Sequence, residues 1–178
     1  MFKLVRKARG FSRNQKGFTL VELLVVVAII AILSAVLLPR LLGYTNQARV
    51  SRAMSDLASM RSVVEAYAAD EGQGYYPTAN NSSDGGVAKV LQARGIAWAA
   101  QTNPVKDPWG SPYYYYVASD AAGTSEQHYM IQSIGPDRKQ NTADDIYCTD
   151  TVSPTQGQPP AQSEDGTPWS LMVRSVTP

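Results

Sequence analysis

An uninterrupted apolar stretch near the N-terminus most limits what this chain can fold into. Residues 18–38 read FTLVELLVVVAIIAILSAVLL, and Glu22 is the only charged residue among these 21. As an α-helix rising about 1.5 Å per residue, a stretch of this length spans roughly 30 Å, which is the thickness of the hydrocarbon core of a bilayer. The sequence therefore predicts a membrane-spanning helix.

The charge on either side of this stretch predicts its orientation. The first 17 residues contain six basic residues and no acidic one, and the remaining 161 contain 10 basic and 15 acidic residues. Because basic segments stay on the cytoplasmic side of a membrane, we expect the N-terminus inside and the rest of the chain outside. The acidic excess of the larger part also argues against a nucleic-acid partner, which would require a basic surface.

A secretory signal that is cut within or after the apolar stretch is the simpler alternative, but the residues do not favour it. The apolar region of such signals usually has about 7–15 residues and ends in a small-x-small site. Here the stretch is longer, and its small residues offer no pair two positions apart; they are Ala28, Ala31, Ser34 and Ala35.

Gly17 and Glu22 need an explanation of their own. A carboxylate inside a membrane span costs roughly 2.5–3.5 kcal/mol at the helix centre and less near its end. Cleavage after Gly17 would give Phe18 a new α-amine, a cation that could pair with Glu22 one turn away in the same chain or in another subunit. Alternatively, Glu22 only stabilises the positive end of the helix dipole.

The segment KGFTLVELLVVVAIIAILSAVLLP, residues 16–39, resembles the class III signal of type IV pilins and pseudopilins. The resemblance implies that a prepilin peptidase cuts after Gly17 and methylates Phe18, so that residues 1–17 are a leader and residues 18–39 a transmembrane assembly helix. It also implies that Glu22 matches the N-terminal amine of a neighbouring subunit during assembly. The expected fold is pilin-like α+β, with one long N-terminal helix packed on a small antiparallel sheet.

The helical pattern continues beyond Pro39, which is expected to kink or loosen the helix because it lacks a backbone N–H. Residues 40–71 form the predicted amphipathic half of the helix, and Gly72 and Gly74 are expected to end it. One apolar stripe recurs at spacings of three and four residues: Val50, Ala53, Leu57, Met60, Val64 and Tyr67. We expect this stripe to pack against the C-terminal region.

Residues 72–178 are predicted to form a globular region of short elements. A short helix is expected over residues 86–94, and strands over 113–117 and 128–133, joined by a hairpin loop. Alternation within the first strand places Tyr113 and Tyr115 on one face and Tyr114 and Tyr116 on the other. Residues 151–168 are expected to be irregular, and residues 169–173 to form a closing strand.

A proline turn (residues 107–113, DPWGSPY) precedes the tyrosine strand. Asp107, Pro108, Trp109 and Gly110 predict a rigid structural corner without chemical reactivity. Trp109 is expected to be an apolar anchor whose indole N–H reaches a loop carbonyl.

An acidic loop (residues 134–146, IGPDRKQNTADDI) contains Asp137, Asp144 and Asp145. Calcium prefers six to eight oxygen ligands, which three carboxylates and backbone carbonyls can supply. The spacing excludes an EF-hand, because the twelfth position counted from Asp137 is Cys148. From the residues alone, a calcium site and a metal-free surface turn rich in Asp and Asn remain equally open.

Both segments resemble those of the major pseudopilin of type II secretion systems. The resemblance implies that Asp137, Asp144 and Asp145 bind Ca²⁺ through side chains, and Ile134 and Lys139 through backbone carbonyls. It implies a subunit anchored in the inner membrane that polymerises into a periplasmic pseudopilus and drives proteins across the outer membrane. The implied partners are other copies of the chain, minor pseudopilins, an inner-membrane assembly platform and a cytoplasmic ATPase.

Two departures keep a second function open. About 30 residues follow Ile146, and the leader is long; both leave room for a subunit of a type IV or competence pilus that serves adhesion, motility or DNA uptake. The single Cys148 argues against the type IV pilus subunit, which usually has a C-terminal disulfide. We expect no enzyme, because no nucleophile elbow, phosphate loop or zinc motif is present, and a His128–Cys148 pair is the weak exception.

Overall fold

The computed structural model describes residues 17–100, 102–119, 126–169 and 171–175. The chain divides into two compact units, residues 1–43 and 44–178. Its helices are α1 (Leu20–Asp70) and α2 (Val87–Ala93). Its strands are β1 (Tyr114–Ser119), β2 (Glu126–Ser133), β3 (Ile146–Thr149), β4 (Thr155–Gln156) and β5 (Leu171–Arg174). Among the described residues, these elements give the predicted α+β fold.

The N-terminal unit contains the first part of α1. This helix is long and apolar enough to cross a membrane, and its large apolar side chains from Leu20 to Leu42 are exposed. The backbone stays helical through Pro39, and the kink or loosening expected there stays a prediction. A proline removes only one hydrogen bond of the ladder, and the turns on both sides keep theirs. Of the predicted leader, only Gly17 lies within the described residues.

In the C-terminal unit, α1 buries the predicted stripe and then ends at two glycines. Ala53, Leu57, Met60, Val64 and Ala68 are buried, and the stripe therefore continues through Ala68, while Tyr67 is half-buried. The Gly74 N–H donates a hydrogen bond to the Ala68 carbonyl at 2.8 Å. Gly74 has a φ of 95°, which a residue without a side chain adopts readily.

The five strands form one antiparallel sheet in the order β4-β3-β2-β1-β5. In its centre, Tyr114 of β1 pairs with Gln132 of β2, and Gln132 pairs with Tyr147 of β3. The predicted first strand, second strand and closing strand are present, with boundaries shifted by at most two residues. The predicted hairpin loop falls largely on residues 120–125, which lie outside the described residues.

The prediction that residues 151–168 are irregular is wrong in one part, because they contain β4. This two-residue strand pairs with β3 at one edge of the sheet, and β5 pairs with β1 at the other edge. The segment after β3 therefore covers both edges of the sheet that the three preceding strands form. A covered edge no longer exposes unpaired N–H and C=O groups to another chain.

The side chains of the four consecutive tyrosines alternate between the two faces of the sheet, as predicted. Tyr113 and Tyr115 are fully buried and belong to the core that also contains the α1 stripe. Tyr114 and Tyr116 stack on each other with ring centroids 6.5 Å apart, and the Gln140 side chain in the acidic loop donates a hydrogen bond to the Tyr116 hydroxyl at 3.2 Å. One face of β1 thus packs on the helix, and the other lies beneath a loop.

Candidate metal centre and assembly segment

The acidic loop connects β2 to β3 and brings its three aspartates together. Asp137 is exposed, Asp144 is half-buried and Asp145 is buried, and one carboxylate oxygen from each lies within 4.8 Å of the others. The three residues come from the two ends of the loop, since Asp144 and Asp145 immediately precede β3 and Asp137 lies four positions after the last residue of β2. Turns rather than a regular element therefore bring these residues together.

Thr142 lies at the centre of this cluster, and the sequence analysis did not single it out. Its hydroxyl is 2.8 Å from Asp144 Oδ1, 3.2 Å from Asp145 Oδ1 and 3.5 Å from Asp137 Oδ1. It also lies 3.2 Å from the carbonyl oxygen of Lys139, one of the two predicted backbone ligands. The sequence signal that could have identified it is a hydroxyl between acidic residues of one loop.

A glycine fixes the start of the loop beside Ile134, the other predicted backbone ligand. Gly135 has a φ of 61°, and a Cβ built on it would lie 2.4 Å from the carbonyl oxygen and 3.2 Å from Oδ2 of Asp144. Only a residue without a side chain allows this close approach. Gly135 therefore sets how near the two ends of the loop come to each other.

The two adjacent aspartates have opposite pKa shifts. Burial opposes ionisation of Asp144, but hydrogen bonds from the Thr142 hydroxyl and the Asp137 N–H outweigh it and lower its pKa. Burial raises the pKa of Asp145 despite hydrogen bonds from Thr142 and Gln132. The ion pairs between described residues include none of the three aspartates.

These properties meet the chemical requirements of a hard cation. The cluster offers carboxylate, hydroxyl and carbonyl oxygens within a few ångströms and contains no nitrogen or sulfur ligand. A buried carboxylate without a basic partner is costly, and a cation bound beside it would offset that cost. The three aspartates can therefore hold a metal ion.

The proline turn is joined directly to the strand that leads into the acidic loop. Asp107 is 4% exposed, and its Oδ1 accepts hydrogen bonds from the backbone N–H groups of Trp109 at 3.1 Å and Ser111 at 2.7 Å. Its Oδ2 accepts one from the Ser133 hydroxyl at 2.8 Å. Burial nevertheless raises the pKa of Asp107. The Asp107 carboxylate therefore connects the turn to the end of β2.

The indole of Trp109 differs from its prediction. Its Nε1 is buried and has no hydrogen-bond partner among the described residues, because the ring packs into the core instead of reaching a loop carbonyl. The backbone carbonyl of Trp109 makes the contact with the acidic loop, accepting a hydrogen bond from the Arg138 guanidinium at 2.9 Å. Arg138 therefore links the metal candidate to the proline turn.

At the N-terminal segment, Thr19 and Glu22 cap helix α1. Glu22 Oε2 accepts hydrogen bonds from the backbone N–H and the hydroxyl of Thr19, both at 2.8 Å, and the Glu22 N–H donates to the Thr19 hydroxyl at 3.2 Å. This reciprocal pair is a capping box, for which the sequence signal is a threonine followed three residues later by a glutamate. Gly17 and Phe18 precede the helix and are exposed, so the bond between them is accessible.

The geometry does not support an enzymatic pair of His128 and Cys148. The two ring nitrogens of His128 face carboxylates, with Nδ1 2.7 Å from Asp150 and Nε2 3.5 Å from Asp165. Cys148 is fully buried in the core, and burial raises the pKa of its thiol to about 12. A buried, protonated thiol is not a nucleophile.

The matches found by comparison with known proteins cover both candidate segments. The family model of the prokaryotic N-terminal methylation motif matches residues 12–38, and that of type II secretion system protein G matches residues 40–149. No solved structure matches the chain.

The curated relatives include type II secretion system core protein G of Escherichia coli, 31% identical over 75% of this chain and 90% of that protein. Those of Aeromonas hydrophila and Pseudomonas aeruginosa are 32% and 33% identical over 75% and 74% of this chain and 92% and 91% of theirs. These names do not favour the alternative function, a subunit of a type IV or competence pilus. With the matched residues spanning both the membrane helix and the sheet, the chain belongs to the type II secretion system protein G family.

Proposed function

We propose that this chain is a structural, non-enzymatic subunit that polymerises into a periplasmic pseudopilus and thereby drives type II protein secretion. The observation that carries the proposal is the exposed apolar face of α1 between Leu20 and Leu42, together with the family match over residues 40–149. Once it leaves the membrane, an apolar surface of this size must be buried, and helices of other copies offer a matching surface.

The chain is anchored in the inner membrane before assembly. The basic residues that precede Gly17 remain in the cytoplasm, and the unit from Tyr44 onward lies in the periplasm. Extraction from the membrane requires work that this chain has no nucleotide-binding motif to supply. A cytoplasmic ATPase acting through an inner-membrane platform would supply it, and minor pseudopilins would complete the filament.

Processing at the Gly17–Phe18 bond prepares the chain for assembly. The bond lies in an exposed, non-helical stretch before α1, which a prepilin peptidase can reach, and the cut leaves an α-amine on Phe18 that is then methylated. The Glu22 carboxylate, which accepts two hydrogen bonds from Thr19, is close enough in sequence to pair with such an amine. Between subunits, the pair would neutralise two charges inside an apolar bundle.

The acidic loop holds calcium in this proposal. Asp137, Asp144 and Asp145 would bind the ion through their carboxylates, and Ile134 and Lys139 through their carbonyl oxygens. The convergence of three carboxylates within 4.8 Å, with no His or Cys in the group among the described residues, supports calcium over transition metals. The ion would fix the loop between β2 and β3 and, through Arg138, its contact with the proline turn.

Assembly is tested by expressing the full chain together with a type II secretion system in cells, shearing the filaments and imaging them. We expect filaments from the wild type and from Glu71→Ala, a control at an exposed carboxylate outside the membrane segment, but few from Glu22→Ala, which should still enter the membrane. Normal filaments from Glu22→Ala would remove its proposed role. A wild type that stays dispersed would contradict the proposed function as a whole.

Processing is tested separately by mass spectrometry of the mature protein. The expected chain begins at Phe18 and carries one methyl group on its α-amine. Any other N-terminus would contradict the proposed cleavage without bearing on the calcium loop.

A further inference from the structure

The side chain of Gln132 makes an unusual contact with the acidic loop. Gln132 lies in the central strand β2, two residues before the loop begins, and its side chain is fully buried. Its Nε2 donates a hydrogen bond to Asp145 Oδ2 at 2.7 Å. The other end of the amide, Oε1, is buried and has no hydrogen-bond partner among the described residues.

The orientation of this amide follows from its chemistry. Two oxygens facing each other would repel, so only the N–H side of the amide can point at a carboxylate. Rotating the amide so that Oε1 finds a donor would break the hydrogen bond to Asp145. In the observed orientation that hydrogen bond is kept, and the buried Oε1 has no partner among the described residues. A buried unsatisfied oxygen destabilises the fold, and packing alone therefore does not explain a glutamine at this position.

The contact has a specific consequence for Asp145. Gln132 and the Thr142 N–H, at 3.2 Å, both donate to Oδ2, while Oδ1 lies on the side of the Thr142 hydroxyl, at the centre of the acidic cluster. The carboxylate is thus held with one oxygen turned to the sheet and the other turned to the cluster. A neutral amide does this without cancelling the negative charge, whereas a lysine or arginine would compete with a bound cation.

We propose that Gln132 is a positioning residue for the acidic loop, which holds the Asp145 carboxylate in the orientation that binds calcium. The proposal rests on the calcium site proposed above. Gln132 touches no ion itself and acts through Asp145, as residues outside the ligand set of a metal site often do.

Calorimetric titration of the full-length chain in detergent with CaCl₂ tests this role. Gln132→Met keeps the length and loses the N–H donor, and Gln132→Leu repeats the test with a different shape. We expect calcium to bind both variants about 10–100-fold more weakly than the wild type, the range typical for such residues. Gln127→Met is the matched control, because Gln127 lies in the same strand and is exposed; its Kd should stay at the wild-type value.

A double variant distinguishes positioning from a general effect on stability. In an Asp145→Asn background, Gln132→Met should weaken calcium binding no further, because the residue through which it acts no longer carries charge. Folded Gln132 variants that bind calcium like the wild type would overturn the proposal, and so would loss of folding in both variants, since the residue would then be needed for structure alone. A wild-type chain that binds no calcium would instead overturn the calcium site itself.

Discussion

The hydroxyl of Ser133 donates a hydrogen bond to the buried carboxylate of Asp107 across 2.8 Å. Ser133 is the last residue of β2, and Asp107 begins the proline turn. This bond joins the proline turn to the strand that leads into the acidic loop, although 26 residues separate the two positions. A change at either segment is expected to reach the other.

Asp107→Ala should strongly destabilise the C-terminal unit. The substitution leaves the N–H groups of Trp109 and Ser111 and the hydroxyl of Ser133 without their acceptor, and an unsatisfied buried donor costs about 1–3 kcal/mol. We expect a loss of about 3 kcal/mol or more in unfolding free energy, measured by chemical denaturation. Asp84→Ala, at an exposed ion pair with Lys89, is the control and should leave the unfolding free energy almost unchanged; equal losses in the two variants would contradict this account.

Calcium should stabilise the wild-type chain against heat. An ion that binds only the folded state adds about 2.7 kcal/mol when its free concentration is one hundred times the Kd. We expect the Tm to rise on adding CaCl₂ and to fall again with a chelator. Asp144→Asn should abolish the rise, while Asp70→Asn, at the exposed end of α1, should retain it. If calcium does not change the Tm of the wild type, the loop is a metal-free turn and the prediction is wrong.

Two tyrosine hydroxyls should each contribute to the attachment of α1 to the sheet. Tyr113 donates to Asp56 and Tyr129 donates to Glu65, both at 2.9 Å. Tyr113→Phe and Tyr129→Phe should each reduce the unfolding free energy by about 1 kcal/mol, and by about twice that together. Tyr75→Phe, at an exposed ring, is the control and should not change the unfolding free energy. An unchanged unfolding free energy in the Tyr113→Phe/Tyr129→Phe double variant would contradict the prediction.

The same two tyrosines should make stability fall at high pH. Burial raises the pKa of Tyr113 and of Tyr129 above that of an exposed tyrosine, so the unfolded chain releases its protons first. Their contribution is complete below the unfolded pKa of about 10 and is lost as the pH rises from there toward the higher folded values. The unfolding free energy between about pH 9 and pH 11 should therefore decrease less in the double phenylalanine variant than in the wild type. Parallel pH profiles would contradict the assignment.

Cys148 should be inert while the chain is folded. Its side chain is fully buried, and burial raises the pKa of the thiol to about 12, so that almost none of the reactive thiolate is present at neutral pH. We expect a thiol reagent to label the native protein only as fast as it unfolds and the denatured protein at once, with one thiol per chain. Rapid labelling of the native protein would show that Cys148 is accessible.

Much of the secondary structure of this protein follows from local patterns in its sequence. The length and apolarity of residues 18–38, the stripe from Val50 to Val64 and the alternation of the four tyrosines are properties of neighbours along the chain, and each predicts a helix or a strand face directly. The clustering of aspartates in the acidic loop is local in the same sense, because all three lie within nine residues.

Only the tertiary structure decided which distant groups meet. Strand register and the path of the chain between elements bring the amide of Gln132 to Asp145 and the hydroxyl of Ser133 to Asp107. They also place β4 at one edge of the sheet and β5 at the other. Such contacts bring together residues whose separation in sequence carries no periodic signal, and they form because buried polar groups and open strand edges must find partners wherever the fold supplies them. The sequence alone determined the helices, three of the five strands and the position of the acidic loop, whereas the packing determined the other two strands and how the loop is held.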